Sequence, residues 1–209
     1  MEKSFISYYR KSFSAPQSTF GRLAEDPAKL RMSFMAVLIT AILYTFVYIF
    51  LIFGGGQPFK PWLDIPLESY YRYNVFFCAP SMFLGWVLSA AVVHLFARTE
   101  KTPGSFESLL ASFGFGISLA SWTTGLHDFI TSFLGAMQVI SQRDYELALN
   151  TATIWRTLLW IQMLAYLFAF VYLFSVGIKA VYECSWGKSV LLGCLGFLLY
   201  QGFFLIFNR

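Results

Sequence analysis

Residues 109–128 read LLASFGFGISLASWTTGLHD, from Leu109 to Asp128. The stretch opens as continuous apolar sequence and closes on two ionisable residues, His127 and Asp128. Within it Ser112, Gly116, Ala120 and Thr124 recur at every fourth position. On an α-helix that spacing lines four small side chains along one face. In lipid, where hydrophobicity does not drive helices together, such a face allows close approach and dispersion contact with a neighbour. The stretch is therefore expected to be the packing centre of a membrane helical bundle.

Working outward, four more apolar runs flank this one. The expected spans are about 33–53, 74–97, 109–126, 154–176 and 189–207, each near the length that crosses about 30 Å of hydrocarbon. Composition agrees: of 209 residues 57% are hydrophobic and only 12% charged, against about one quarter charged in a soluble domain. The fold class is thus all-α, a polytopic transmembrane bundle of five helices. The first run starts near Ser33, too far along the chain and too long for a cleaved signal peptide.

The third run continues past Asp128 to about Ile140. That is too long for one simple crossing, so a break is expected at Gly125, with the remainder at or tilted from the far surface. Pro80 is expected to kink the second span. Residues 1–31 form a basic, aromatic-rich tail, and 32–209 the membrane domain. Within the tail a short helix is expected from Pro16 to Leu23, capped by Ser14, with Phe13, Phe20 and Leu23 dipping into the headgroup region and basic residues meeting anionic lipid. Asp26 followed by Pro27 marks the next helix start.

Five crossings place the termini on opposite sides. With a cytoplasmic N-terminus, that side holds Lys3, Arg10, Lys11, Arg22, Lys29, Arg31, Arg98, Lys101, Lys179 and Lys188; the other holds Lys60, Arg72, Arg143, Arg156 and Arg209. The excess gives N-in, C-out. The net charge of +4 belongs to these flanks. No basic stripe interleaved with aromatics resembles a nucleic-acid surface. An odd span count and the lack of an internal repeat argue against the inverted-repeat transporter plan.

Candidate chemistry is sparse. His127 and Asp128 would suit a proton relay or a cation site. A helix starting near Glu107, however, reaches the far interface at His127, and adjacent residues point about 100° apart, so an interfacial pair that ends the span is the leading reading. Arg156 either snorkels outward or pairs with Asp128 or Asp144. His94 reads as an interface residue. Gly187, Lys188 and Ser189 look like the end of a phosphate loop, but Tyr182 stands where that motif needs a glycine; Lys188 reads as a flank and Ser189 as a helix cap. Cys78, Cys184 and Cys194 are expected to be small apolar packers, with no metal or disulfide spacing. With two histidines in the chain and no nucleophile elbow or HExxH motif, no enzyme, catalytic residue, metal or cofactor is expected.

One further pattern is the order of features. A tail with Pro16, Phe20 and Leu23 ahead of Asp26 and Pro27 leads into five close spans. Ser105–Phe106 opens the third span and Ile154–Trp155 the fourth. The fourth runs out through Gly177, Ile178, Lys179, Ala180, Val181 and Tyr182 to Trp186 and Lys188. Along nearly its whole length the chain resembles the Yip domain family of Ypt/Rab-interacting membrane proteins, and its bacterial branch in particular. The resemblance implies an all-helical five-span domain with a cytoplasmic N-terminus and brings no catalytic residues. Its eukaryotic members are linked to Rab GTPases and vesicle traffic. The tail here is shorter than theirs, which suits a bacterial inner-membrane protein; an ER or Golgi membrane is the alternative for a eukaryotic chain.

The expected function is a non-enzymatic integral membrane scaffold or adaptor, in contact with the bilayer, with anionic lipid through its tail, and with a protein partner or a second copy of itself. Homo-oligomerisation is expected through Ser112 to Thr124, or through Gly193 and Gly196. The alternative is a small permease or ion-coupled transport subunit, whose polar path would bring Asp128, Arg156, Gln162 and Gln201 to one water-filled cavity. A lipid-modifying enzyme ranks last, since it needs a clustered acid/base pair.

Overall fold

The computed structural model describes residues 4–56, 63–98 and 104–208. Lys3, Lys60, Lys101 and Arg209, which enter the charge count above, lie outside the described residues. The described chain is helical throughout: α1 (Phe5–Ser14), α2 (Pro16–Glu25), α3 (Lys29–Gly54), α4 (Tyr70–Ala97), α5 (Phe106–Ala136), α6 (Gln142–Asn150), α7 (Ile154–Tyr182) and α8 (Trp186–Asn208). Five of these, α3, α4, α5, α7 and α8, are long and apolar enough to cross a membrane.

Helix α5 is the centre. Every residue from Ala111 to Ser121 is buried, and α3, α4 and α7 all pack on it. Small side chains make this possible. Ser112 abuts Gly177 of α7, and Gly116 lies against Leu173 and Phe174 of the same helix. The opposite face meets α3 and α4, where Gly114 sits under Ser33 and Trp86. Ser33 donates to the Ala111 carbonyl at 2.8 Å and the Trp86 indole to the Leu110 carbonyl at 2.8 Å. Farther along, Thr124 shares a 2.8 Å hydrogen bond with Tyr44 of α3. Phe113 stacks on Phe174 at 3.9 Å between ring centroids. Such close contacts supply the dispersion energy that holds helices together in lipid.

The expected break at Gly125 is absent: α5 runs unbroken for 31 residues. Gly125 is the place where Leu43 and Tyr44 of α3 come close to the α5 backbone, a packing use of glycine rather than a hinge. The small-residue faces are also consumed inside one chain. Ser112, Gly116, Ala120 and Thr124 are all buried. Gly193 and Gly196 of α8 are covered by α7 and α5, against Ser175, Phe174 and Phe113. All six residues are buried against other helices of the same chain.

The tail is corrected as well. It folds into two helices, and Ala15 rather than Ser14 stands at the start of α2. Phe20 and Leu23 are fully buried, because α2 lies against α5 and α7 rather than in the headgroups. Phe13 alone of the three stays exposed, as does Ile6 one α1 face away from the bundle. In α1 the Tyr8 hydroxyl donates to Asp26 Oδ2 at 3.0 Å, while the Tyr9 hydroxyl meets Ser118 at 2.8 Å and accepts from the Trp122 indole at 2.6 Å. Ser118 lies twelve positions into α5, about 18 Å along its axis. The tail is therefore part of the bundle's flank. Asp26 does not cap α3 directly; it accepts from the Ala28 N–H at 2.8 Å in the turn before it.

Basic side chains tie one end of the bundle together. Lys29 Nζ donates to the Ala24 carbonyl and to Ser108, and Lys188 Nζ to the Ala97 carbonyl at the end of α4. His94 hydrogen-bonds the Tyr182 hydroxyl, so it bridges α4 and α7 rather than simply facing the interface. The cap of α8 comes from Ser185, whose Oγ accepts from the Lys188 N–H, and not from Ser189. Gly55, with φ of +70°, closes α3 in the left-handed conformation that glycine adopts without strain.

Candidate functional site

The opposite end of the bundle holds a cavity of about 280 Å³. Helix α5 delivers His127, Asp128, Thr131 and Ser132 to it, because these follow the buried stretch on the same continuous helix. From α3 come Tyr44, Val47, Tyr48 and Leu51; from the start of α4, Tyr70 and Tyr71. Gln142, Tyr145, Glu146 and Leu149 of α6 form one wall, and Asn208 at the end of α8 closes it beside Leu159 of α7. Helix α6 is fixed by its own chemistry: Ser141 accepts from the Asp144 N–H at 3.3 Å, and Gln142 packs on Gly135.

His127 and Asp128 do meet. Nδ1 of His127 lies 3.4 Å from Oδ1 of Asp128, although their Cβ atoms leave the helix in different directions. Nε2 of the same ring lies 3.1 Å from the Tyr145 hydroxyl. A row Tyr145–His127–Asp128 results. Both the His127 and Asp128 side chains keep about a third of their surface exposed. Tyr145 lies outside the spans. Its phenol is pushed up to about 12 by burial and by the charge of Asp128, so it remains a neutral hydrogen-bond donor at ordinary pH.

Gln142 and Asn208, which line the same cavity, each hold a buried amide oxygen. Gln142 Oε1 and Asn208 Oδ1 have no hydrogen-bond partner among the described residues. The nitrogens of these amides are engaged: Gln142 Nε2 donates to Glu146 Oε1 at 3.1 Å, and Asn208 Nδ2 to Ser81 Oγ at 2.7 Å and to the Phe204 carbonyl at 2.9 Å. No group of three or more His, Cys, Asp or Glu side chains among the described residues is arranged to hold a metal ion.

The remaining sequence candidates go elsewhere. Arg156 is exposed at the start of α7 and forms no ion pair with Asp128 or Asp144 among the described residues. Gln162 donates to the Thr123 carbonyl at 3.1 Å, joining α7 to α5. Gln201 accepts from the Tyr166 hydroxyl at 2.9 Å, joining α8 to α7. Of the four residues of the expected polar path, Asp128 alone lines the cavity. The path does not assemble, because each glutamine is spent on a separate helix–helix contact.

Sequence reasoning missed the tyrosines, Gln142, Glu146 and Asn208. One local signal was available: Ser141 followed three residues later by Asp144 is a helix-start pattern, and it places Tyr145 one turn in. Asn208 at the end of an apolar helix carried no comparable signal.

A family model, the Yip1 domain, matches residues 10–207. Neither a curated protein nor a solved structure matches the chain.

Proposed function

The chain belongs to the Yip1 domain family, and from that premise we propose that it is a non-enzymatic scaffold or adaptor, held N-in, C-out in a bacterial cytoplasmic membrane. That it is an integral membrane protein follows from its family and its five apolar helices; the role and the orientation are the proposal. The observation that carries it is the dispersal of Asp128, Arg156, Gln162 and Gln201, which leaves the alternative permease without its polar path. The residue types that remain exposed near the tail fit an adaptor. With Phe20 and Leu23 turned inward, Arg10, Lys11, Arg22 and Arg31 are left on the outside, where they can meet anionic lipid or an acidic protein surface.

A photo-crosslinking residue at Arg22, used in native membranes, tests this reading. The expected result is a reproducible crosslink to one protein that disappears when Arg10 and Lys11 are replaced by alanine. Solute uptake by proteoliposomes of the purified protein, with no such crosslink, would overturn it.

A further inference from the structure

The two halves of the tail are docked unequally. Helix α2 buries Pro16, Thr19, Phe20 and Leu23, whereas of α1 only Tyr8 and Ser12 are buried. Between them stands Ala15 (φ −144°, ψ 63°), followed by Pro16 at the start of α2. Proline has no N–H and excludes a continuous helix across the joint. Helix α1 can therefore swing about Ala15 while α2 stays anchored.

The seat of α1 is polar and deep. Its inward stripe, Phe5, Tyr8, Tyr9 and Ser12, follows the helical repeat. The Phe5 and Tyr9 rings rest on Phe115, at 5.8 and 6.1 Å between centroids. The Tyr9 hydroxyl accepts from the Trp122 indole and shares a hydrogen bond with Ser118, which also accepts from Thr40 of α3 at 2.9 Å. The meeting of Lys29 with Ser108 marks the level where headgroups begin. Ser118 lies ten positions farther along α5, about 15 Å, or half the hydrocarbon thickness.

The outward face of α1 does not suit that depth. It carries Arg10 and Lys11 beside Ile6 and Phe13, all exposed. Neither cation has an ion-pair partner among the described residues. With Tyr9 docked, both are held below the headgroups, where a charge is costly and must snorkel. A short helix that mixes basic and apolar residues in this way is at rest in the interface of an anionic leaflet. Hydrogen bonds deep in the bilayer hold α1 in, and two unpaired charges pull it out.

We propose that α1 is a strap that answers to lipid charge: docked on α5 in a neutral leaflet, and drawn out to the headgroups by anionic phospholipid on the N-terminal side. Release uncovers Phe115, fully buried while α1 is docked, and leaves the Trp122 indole without its acceptor. The surface that the chain offers to other membrane helices then depends on the leaflet it sits in. The proposal takes lipid rather than protein as the partner of Arg10 and Lys11 in the reading above. Its test contains no other protein, so it holds or fails apart from the adaptor role.

Nitroxide labels at Ile6→Cys and Glu25→Cys, in a full chain freed of Cys78, Cys184 and Cys194, report the swing as a distance by pulsed electron paramagnetic resonance. Both sites are exposed, and the hydrogen bond of Tyr8 to Asp26 holds those ends of α1 and α2 together in the docked state. Release therefore lengthens the distance. From nanodiscs of phosphatidylcholine to nanodiscs of phosphatidylglycerol, the ratio of released to docked chains is expected to rise by up to about thirtyfold, about fivefold for each cation. Arg10→Gln with Lys11→Gln should abolish the rise. Trp122→Phe, which keeps an aromatic ring and removes the indole donor, should raise the released fraction in phosphatidylcholine. One distance distribution in both lipids overturns the proposal, and that comparison needs no further variant. A rise that survives the double glutamine variant, or a Trp122→Phe released fraction equal to that of the parent, also overturns it.

Discussion

Replacing Gly114 by alanine should loosen the bundle at its tightest crossing. A Cβ built at Gly114 falls on the Ser33 hydroxyl and comes within 3.1 Å of the Trp86 ring. Ser33 is fully buried and donates to the Ala111 carbonyl, so it has no free space to turn into. Either it gives up that bond, worth about 1 kcal/mol, or α3 moves away from α5 with an overpacking strain of about 1–3 kcal/mol. The better helix propensity of alanine offsets up to about 1 kcal/mol of this. The expected net effect is a destabilisation of about 1–3 kcal/mol. In a background lacking Cys184 and Cys194, the fully buried Cys78 thiol reports unfolding in detergent through its reaction with a maleimide dye. Ser33→Ala alone should lower stability slightly, and Ser33→Ala combined with Gly114→Ala should recover about 1 kcal/mol or more relative to the sum of the two. A Gly114→Ala protein as stable as the wild type, or strict additivity of the pair, would refute the packing argument.

Three further outcomes are expected. Asn74 of α4 is fully buried with neither amide atom partnered among the described residues, so Asn74→Leu should raise stability by about 1–3 kcal/mol, read as a higher unfolding midpoint. Phe20→Ala should empty the contact of α2 with α7 and lower its docking stability by about 3–5 kcal/mol, read as faster proteolysis of the tail with the spans intact. Burial and the Asp26 carboxylate push the Tyr8 phenol up to about 12, so the docked tail favours the neutral phenol. Its contribution is fully present below about pH 10, the ordinary tyrosine value, and is lost as pH rises through about 12. A fluorophore at Ser14 should report release of α1 over that window in the wild type, and Tyr8→Phe should lack this phase.

The spans were legible because hydrocarbon thickness and backbone hydrogen bonding leave few choices for a run of apolar residues. The four-residue spacing of Ser112, Gly116, Ala120 and Thr124 likewise carried its packing role. What that spacing could not carry was the identity of the partner. A face that accepts a neighbouring helix reads the same whether the neighbour is α7 of the same chain or a second copy. Gly125 misled for a related reason, since a glycine that admits Leu43 and a glycine that bends a helix share one sequence signal. The tail pattern gave an amphipathic helix but not its counter-surface: Phe20 and Leu23 would suit headgroups or a protein groove equally. The cavity was the least legible part. It draws on α3, α4, α5, α6, α7 and α8, and only His127 and Asp128 stood out in an apolar context. Tyr44 and Tyr48 read as ordinary span residues until the fold brought them beside Asp128.

The central claim is that the polar residues of the bundle tie helices together and do not form a path across it. Single cysteines at positions 128, 162 and 201, in a chain freed of Cys78, Cys184 and Cys194, test it most directly with a membrane-impermeant maleimide applied to each side of sealed vesicles. The account predicts labelling of Asp128→Cys from the side opposite the N-terminus alone, and no labelling of Gln162→Cys or Gln201→Cys from either side. Labelling of both glutamine positions by the aqueous reagent would contradict it, because water would then reach the contacts that hold α7 to α5 and α8.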